Sequence, residues 1–414
     1  LCLAIPYALG DRLALLALFL EGLKSFGFGG DVAIWTVITS IVVLPAAFIS
    51  GIQFPLLIGL LGRGRRDIGR HVGTACAWNT VGAIIGSLAG GFGIIPLLSA
   101  PGAWMAVAAL LAALAFAAIF LAARSEGPGW STAAAASGIL LTLLCLTAIG
   151  PTAVWRHSGI GAGRAGLTDR TPNGIRAWRN FERRAIVWEA DGLECSVAIS
   201  KSNDGLAFFI NGKSDGAAVY DAATGIMLGL LGAWLHPQPE SGLVIGLGTG
   251  ETAGWLAEVP TIQRVDVVEI EPALDRMAEL CAAANFDVLH HPKVRRIYND
   301  AREVMMTSRE KYDLIISEPS NPYRAGIASL FTADFYRSVR ARMNDGGLFV
   351  QWLQAYEIDP PAVRTVLCTL GEVFPHVEIW QSNPGDLLLV CGMDPIEYLP
   401  EQLLGRRYYQ PVPR

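Results

Sequence analysis

The pattern of hydrophobic and polar residues divides the chain into two halves. Between residues 13 and 150 the sequence is mostly apolar, and two stretches, 71–123 and 127–155, contain no Asp, Glu, Lys or Arg. A helix needs about 20 apolar residues to cross a bilayer. Residues 1–150 therefore predict a multi-span α-helical membrane region. The four or five predicted spans are 13–28, 32–61, 72–98, 104–123 and 132–149.

The topology of these spans is left open by the sequence. Pro45 and Pro55 predict a kinked or broken second span, and a break near Gly90 would make the third a re-entrant hairpin. Arginines cluster at residues 62–70 and 156–184, and each cluster favours the cytoplasm. Three spans separate the clusters. Either one segment does not cross, or the third is re-entrant, or the later arginines belong to a folded domain.

The second half begins with a Gly- and Arg-rich stretch, residues 151–184, which predicts a solvated linker. Residues 185–221 alternate between apolar and polar positions. They contain the turn signals Asp191-Gly192 and Asn203-Asp204-Gly205, which are typical of hairpins. We expect a small antiparallel β unit here.

From residue 222 to 395 the pattern alternates between strand and helix after a first helix at 222–235. Strands are predicted at 243–246, 265–270, 294–298, 312–317 and 347–352. Helices are predicted at 251–258, 272–283, 301–308, 332–343 and 361–371. Two further strands, 376–381 and 386–391, flank a turn at 383–385. This order predicts an α/β Rossmann-like domain of the type found in S-adenosylmethionine-dependent methyltransferases. Its mostly parallel sheet would end in an antiparallel hairpin, followed by a C-terminal tail at 396–414.

A glycine loop follows the first strand of this domain, and an acid, Glu269, ends the second strand about twenty residues later. Such glycines let the backbone approach a nucleoside, and the acid accepts hydrogen bonds from ribose hydroxyls. Asp300, after the third strand, would contact an adenine amino group, although it would also serve as a helix N-cap. Thr249 and Glu251 are expected mainly to cap the loop's helix. The predicted nucleoside-binding residues are Gly246, Gly248, Thr249, Gly250, Glu269, Ile270, Asp300 and Ala301.

Composition narrows the remaining choices. A net charge of −5 argues against general nucleic-acid binding, so no nucleic-acid partner is expected. The seven cysteines form no CxxC pair and show no metal-like spacing, which predicts reduced thiols and no metal site. Glu318 follows the apolar run 314–316, at the strand end where a group facing a reacting centre would lie. Its alternative role is a solvated loop acid.

The motifs of residues 185–391 resemble the spermidine synthase, or aminopropyltransferase, family, and most closely its bacterial membrane-fused branch. The matching segments read FFINGK, HPQP, GLGTG, VEIEP, NDA, YDLIISEPSNP, SLFTADFY and GGLFVQW. The resemblance implies decarboxylated S-adenosylmethionine as donor and a small amine as acceptor. The amine would attack the carbon beside the sulfonium, a carboxylate would take its proton, and methylthioadenosine would leave.

The resemblance also implies a multi-pass protein of the bacterial inner membrane. The lipid bilayer would be one partner, and the catalytic domain would face the cytoplasm. A homodimer or a partner in a membrane complex is compatible with it. Glu318 takes the place of the family's catalytic base. The substrate-binding residues would be Asp215, Ser317, Asn321 and Gln351.

Several positions depart from the family's pattern. Thr249 replaces an acid of the glycine loop, Asn321 replaces a second acid of the acceptor loop, and Asp215 replaces a glutamine. Thr224 and Ile226 replace a tyrosine and an acid. Three functions stay open: an aminopropyltransferase acting on an amine other than putrescine, an S-adenosylmethionine-dependent methyltransferase, and a non-catalytic nucleoside-binding subunit of a membrane complex. The loss of the glycine-loop acid would allow ordinary S-adenosylmethionine to bind.

Overall fold

The computed structural model describes residues 1–62, 68–127, 129–160, 165, 167, 169, 171–203, 205–324 and 326–396. The predicted tail beyond residue 396, the arginines at 63, 65 and 66, and the turn residue Asp204 lie outside the described residues. The chain forms two compact units. The first comprises Leu1–Ala198 and Ile210–Lys213, and the second comprises Ile199–Phe209 and the chain from Ser214 onward.

The first unit is mainly helical. Its α-helices are α1 (Ala4–Leu9), α2 (Asp11–Phe19), α3 (Phe28–Val42), α4 (Leu44–Gly62), α5 (Ile68–Ala89), α6 (Ile95–Glu126), α7 (Trp130–Leu146), α8 (Ala153–His157) and α9 (Pro172–Ala185). A 3-10 helix at Leu20–Phe26 follows α2, so the first predicted span is not one continuous α-helix. A π-helical turn at Gly90–Ile94 joins α5 to α6.

One helical stretch of the described residues, Gly69–Arg124, is long and apolar enough to cross a membrane, and almost none of it is buried. Helices α3 and α4 pass the same test together, with a bend of 53° between them, which fits either a second, broken span or a re-entrant loop. The bend at Val43 lies two residues before Pro45, in agreement with the predicted break. The predicted helical region is therefore present, whereas its crossing of a bilayer by four or five spans stays a prediction.

The third and fourth predicted spans, 72–98 and 104–123, are separated by a break at Ser99, in the predicted gap between them, whereas the chain near Gly90 continues as a π-helical turn. The glycines are accommodated by the π-helical turn, whereas Ser99 has φ 63° and ψ 166°, which no helix adopts. Pro101 accounts for the position, because proline cannot donate the hydrogen bond that would link it to the preceding turn. The N–H of Ala100 donates instead to the carboxylate of Asp191, 2.6 Å away.

The predicted linker at residues 151–184 is in part folded. It contains α8 and α9, and α9 begins where the hydroxyl of Thr171 accepts the N–H of Gly174. Val154 in α8 is fully buried among apolar side chains of α2. The Gly and Arg content of this stretch predicted a solvated linker. Helix α8 is nevertheless held in place by one buried valine and by ion pairs of Arg156.

The predicted β unit is a four-stranded sheet in the order β1-β2-β3-β4. Its strands are β1 (Ile186–Asp191), β2 (Ser196–Ser202), β3 (Gly205–Ile210) and β4 (Lys213–Ala217). The first three match the sequence-based prediction. The fourth was missed because Lys213–Ala217 carries polar and small residues instead of an apolar alternation.

The second unit is built on a seven-stranded sheet in the order β10-β11-β9-β8-β5-β6-β7. The strands are β5 (Ser241–Ile245), β6 (Arg264–Glu269), β7 (Val294–Tyr298), β8 (Tyr312–Ser317), β9 (Met343–Gln354), β10 (His376–Asn383) and β11 (Asp386–Gly392). The α-helices are α10 (Ala222–Leu235), α11 (Glu251–Ala257), α12 (Asp275–Leu280), α13 (Ala301–Thr307), α14 (Ala333–Ala341) and α15 (Pro360–Gly371). The predicted Rossmann-like order is confirmed, with β5 to β9 parallel and β10 and β11 forming the antiparallel hairpin.

The strand register brings the polar strand ends together. Ile245 pairs with Ser317 on one side and with Val268 on the other. The residues that follow these positions, Gly246, Glu318 and Glu269, therefore meet at one edge of the sheet. Buried apolar side chains on both faces of the sheet hold the strands in this register.

Close packing of α10 against α11 generates a testable prediction. A Cβ at Gly229 would lie 2.5 Å from the backbone oxygen of Thr252, which cannot move aside without shifting α11. We expect Gly229→Ala to lower the free energy of unfolding by about 1–3 kcal/mol. Gly371→Ala is the matched control, because no atom lies within 4 Å of its added Cβ. Chemical unfolding of the detergent-solubilised protein measures both, and equal stabilities of the two variants would contradict the packing.

Candidate active site

The glycine loop is held in shape from beneath by one buried amide. Gly250 has a φ of 80°, and a Cβ there would lie 2.6 Å from Val288 and 2.8 Å from Asn285. The fully buried Asn285 donates to the backbone oxygens of Thr249 and Ala278, at 2.7 and 2.8 Å. Asn285 therefore fixes the turn through which the chain enters α11.

Glu269 lies at the end of β6, beside the glycine loop, as the sequence predicts. Its carboxylate accepts the N–H of Leu247 at 2.8 Å and the N–H of Glu271 at 2.9 Å. Burial raises its pKa, while these backbone hydrogen bonds oppose the rise. Glu269 therefore shapes the loop itself, and a ligand's hydroxyls would compete for or share these oxygens. Ile270, the next residue, is about half exposed.

Asp300 caps the start of α13, where it accepts the N–H of Arg302 at 2.8 Å. A hydrogen bond from the Arg302 side chain lowers the pKa of Asp300. The capping role considered for Asp300 is thus observed. Ala301, the first residue of α13, is buried beneath it. Nothing in these contacts bears on the predicted adenine contact, which stays a prediction.

Glu318 follows β8, and its Oε2 lies 2.8 Å from the hydroxyl of Thr252. That hydroxyl also lies 3.1 Å from the backbone oxygen of Gly225. A threonine has one hydroxyl proton, so it cannot donate to both acceptors fully. The two acceptors therefore share this proton, and the contact with Glu318 favours the ionised form of the acid.

Burial of Glu318 outweighs this contact. Burial raises the pKa of Glu318 to about 7; a hydrogen bond from Thr252 opposes the rise, and the charges of Asp221 and Glu269 add to it. Glu318 therefore exchanges its proton near neutral pH. A carboxylate with this property is suited to general base catalysis at pH 7.

Glu251, the first residue of α11, is a second acid of the same kind. It is 3% exposed, and its Oε1 is buried with no hydrogen-bond partner among the described residues. Burial raises its pKa to about 7; repulsion by Glu318 adds to the rise, and a hydrogen bond from Thr249 opposes it. Two carboxylates with raised pKa values therefore lie close enough to influence each other.

These side chains surround a cleft in the second unit of about 370 Å³, counting its open mouth. Its acids are Asp215, Asp221, Glu251 and Glu318, and its aromatic rings are Phe208 and Trp352. Gly216, Ala217, Thr224, Gly225, Gly248 and Thr249 complete its lining. Acids combined with aromatic faces favour a cationic ligand.

Asp215 differs from the other acids of the cleft, because its carboxylate forms an ion pair with Arg324. Ser320 donates to the same carboxylate at 3.0 Å, and Arg324 donates to the hydroxyl of Ser320 at 2.9 Å. The side chain of Asp215 is almost fully buried. The loop after β8 therefore places an arginine against one wall of the cleft.

The remaining predicted substrate-binding residues do not line the cleft. Gln351 is fully buried, where it accepts the hydroxyl of Tyr336 at 2.7 Å and donates to the backbone oxygen of Leu330. The side chain of Gln351 therefore forms its hydrogen bonds within the core. These contacts give no support for its predicted role in substrate binding. Ser317 is also fully buried. The amide of Asn321 donates to Glu357, which brings an acid beside this neutral position.

Several residues of the cleft were not identified from the sequence. Asp221 and Thr252 belong to no motif, Trp352 ends the motif GGLFVQW but had no role assigned to it, and Arg324 lies two residues beyond the segment YDLIISEPSNP. Glu251 had a signal, since it follows the glycine loop directly, but it was assigned to helix capping. Asn285 comes from a segment without any pattern, so only the fold shows that it supports the loop.

Comparison with known proteins finds a family match within the second unit. Residues 223–383 match the spermine/spermidine synthase domain. This segment is similar to that domain, and we call it the synthase domain. This agrees with the resemblance of the motifs, and the matched segment includes the glycine loop, Glu269, Asp300 and Glu318.

The synthase domain has curated relatives at moderate identity. The polyamine aminopropyltransferase of Moorella thermoacetica is 27% identical over 187 residues, which cover 43% of this chain and 66% of the relative. That of Streptococcus pneumoniae serotype 4 is 29% identical over 154 residues, covering 36% of this chain and 52% of the relative. The chain thus spans between about half and two thirds of the length of these relatives.

Two solved structures are similar to the chain. Spermidine synthase from Thermotoga maritima superposes with a TM-score of 0.48 at 18% identity, covering 53% of this chain and 78% of that one. A spermidine synthase in complex with the transition state analogue AdoDATO gives a TM-score of 0.49 at 18% identity, covering 53% of this chain and 79% of that one.

Among the described residues, no group of three or more His, Cys, Asp or Glu side chains is arranged to hold a metal ion.

The raised pKa of Glu251 predicts how the stability of the synthase domain depends on pH. Its folded pKa of about 7 exceeds the value of about 4.3 for an unfolded glutamate, so the folded state binds more protons between these values. The free energy of unfolding must therefore fall as the pH rises from about 4.5 to about 7. Glu251→Gln removes this loss, and we expect a higher melting temperature than the wild type at pH 8 and a smaller difference at pH 5.

Thermal unfolding in detergent at the two pH values measures this effect. Glu303→Gln is the matched control, because Glu303 is an exposed acid in the first turn of α13, which has the same length as α11. Its substitution should change the melting temperature little at either pH, because the side chain is exposed to solvent. A Glu251→Gln variant that is less stable than the wild type at pH 8 would contradict the burial of an uncompensated charge.

Proposed function

We propose that the chain is a membrane-anchored transferase that moves an aminopropyl group from decarboxylated S-adenosylmethionine to an amine other than putrescine. The observation that carries the proposal is Glu318. It lies in an acidic cleft next to the glycine loop of a synthase domain, and its pKa is about 7. The curated relatives named polyamine aminopropyltransferases support the reaction class.

The proposed reaction follows from the charges of the cleft. The glycine loop and Glu269 hold the nucleoside, and the acids attract the cationic acceptor. Glu318 takes a proton from the amine, whose nitrogen then attacks the carbon beside the sulfonium sulfur. The new C–N bond forms as the C–S bond breaks, and the bond's electron pair passes to sulfur. Methylthioadenosine leaves as a neutral sulfide, and Glu318 returns the proton to solvent.

The proposed choice of acceptor rests on the wall of the cleft formed by Asp215. Arg324 already supplies the cation that pairs with this carboxylate. The second ammonium of a diamine would have to displace a guanidinium that is held by two partners. Asn321 is neutral, and its amide is already bonded to Glu357. An acceptor with a single cationic end fits these contacts better than putrescine.

The test is a turnover screen with the purified full chain, in which each acceptor is offered with either donor. Monoamines, diamines and lipid amines are paired with decarboxylated S-adenosylmethionine and with S-adenosylmethionine. We expect methylthioadenosine as product, with a monoamine preferred over putrescine by tenfold or more in kcat/KM. S-adenosylhomocysteine as product would show a methyltransferase instead. Nucleoside binding without turnover would show a non-catalytic subunit.

We further propose that the helical unit anchors the chain in the bacterial inner membrane by several spans, with the synthase domain on the cytoplasmic side, where the nucleoside donor is made. Large apolar side chains on its helices are exposed, among them Phe92, Leu97 and Leu121. Apolar surface of this extent is typical of contact with lipid. Few ionisable residues interrupt it, which favours an anchor over a transport pathway.

Extraction of membranes tests the anchor. We expect the full chain to stay in the membrane pellet after washing with alkaline carbonate and to be released by detergent, because apolar spans are held by the hydrophobic effect and not by charge. A peripheral protein of the same cells serves as the control and should be released by carbonate. Release of the chain by carbonate would contradict an anchor of several spans.

A further inference from the structure

Glu251 is the acid of the cleft whose hydrogen bonding is least complete. Its side chain is almost fully buried, yet its Oε1 has no hydrogen-bond donor among the described residues. A buried carboxylate oxygen without a donor costs free energy. A ligand that brings an N–H donor with positive charge would remove this cost. The cleft therefore contains an oxygen that is suited to an ammonium group.

The packing around Glu251 keeps this carboxylate in the cleft. A Cβ added at Gly225 of α10 would lie 3.2 Å from the Oε2 atom and 3.3 Å from the Cβ atom of Glu251. The small residue at this position leaves just enough space for the acid between the two helices. Glu251 also follows Gly250 directly and lines the same cleft as Gly248 and Thr249 of the glycine loop.

We propose that Glu251 determines donor specificity by binding the ammonium of the donor's aminopropyl chain and repelling a donor that carries a carboxylate. The inference rests on the proposed function and adds a selection between its two candidate donors. Decarboxylated S-adenosylmethionine ends in one ammonium. S-adenosylmethionine carries a carboxylate on the same carbon, which would lie close to the acids at 251 and 318. Like charges at such a distance are strongly unfavourable in a buried site.

With Glu251 binding the ammonium of the donor, no acid is needed at position 249. Thr249 lines the cleft together with Glu251. Glu251 therefore supplies a negative charge two residues after Thr249, the neutral position of the glycine loop. The sequence alone suggested that ordinary S-adenosylmethionine would be tolerated; the position of Glu251 argues the opposite.

The experiment measures the affinity of the full chain in detergent for three nucleosides by calorimetry. Decarboxylated S-adenosylmethionine carries the ammonium alone, S-adenosylmethionine adds the carboxylate, and methylthioadenosine carries neither group. The wild type should bind the decarboxylated donor at least tenfold more tightly than S-adenosylmethionine. Glu251→Gln should weaken the decarboxylated donor by roughly ten- to a hundredfold. It should leave methylthioadenosine unchanged and bring the affinities of the two donors close together.

Two further variants separate charge from structure. Glu303→Gln removes one exposed charge at the start of α13 and should leave all three affinities as in the wild type. Glu251→Asp keeps the charge but withdraws it by one methylene, so an intermediate preference is expected. If Glu251→Gln does not fold, the Asp variant alone decides, because an unchanged donor ratio in it would overturn the proposal.

The outcomes distinguish this inference from the proposed function. A wild type that binds methylthioadenosine but does not discriminate between the donors would overturn the role of Glu251 and leave nucleoside binding intact. Equal weakening of all three ligands by Glu251→Gln would show a structural role and overturn the inference too. A wild type that binds none of the three nucleosides would contradict the proposed function itself.

Discussion

The main constraint on the second unit is that it must keep two carboxylates buried in one small cleft. Glu251 and Glu318 each have a pKa raised to about 7 by burial, so keeping both ionised at neutral pH costs folding free energy. The surrounding structure must supply that free energy. It does so through a sheet whose inner strands β5, β8 and β11 are mostly buried and through apolar side chains packed on both of its faces.

The chain positions the two acids from neighbouring strand ends. The parallel register of β5 and β8 sets Glu318 beside Gly246, where a Cβ would lie 3.0 Å from the backbone oxygen of Glu318. Asn285 fixes the glycine loop from below, and Glu269 holds the N–H of Leu247 from the side. A cleft held in this way does not need to reorganise when charge moves within it, and this is the main requirement for electrostatic catalysis.

The sequence predicted the second unit well and the first unit less well. The α/β order could be predicted because each strand is a short apolar run followed by a polar residue, and the glycine loop and Glu269 have a fixed spacing. Residues such as Thr252 and Asn285 could not be assigned, because their roles come from the approach of α10, α11 and α12 and not from a local pattern. The gap predicted between the third and fourth spans contains the observed break at Ser99, whereas the alternative break near Gly90 is a π-helical turn. Gln351 was assigned to substrate by analogy with a motif, but its side chain forms hydrogen bonds within the core.

The most direct test of the account is the pH dependence of kcat/KM for aminopropyl transfer in the wild type, Glu318→Gln and Thr252→Val. With Glu318 as the base, kcat/KM should rise about tenfold per pH unit below about 7 and bend at that value. Glu318→Gln should lose roughly a hundred- to ten-thousandfold in rate together with the bend. Thr252→Val should move the bend to higher pH, because the hydrogen bond from Thr252 lowers the pKa of Glu318. A bend near 7 that persists in Glu318→Gln at full rate would contradict the assignment of the base and with it the account of the cleft.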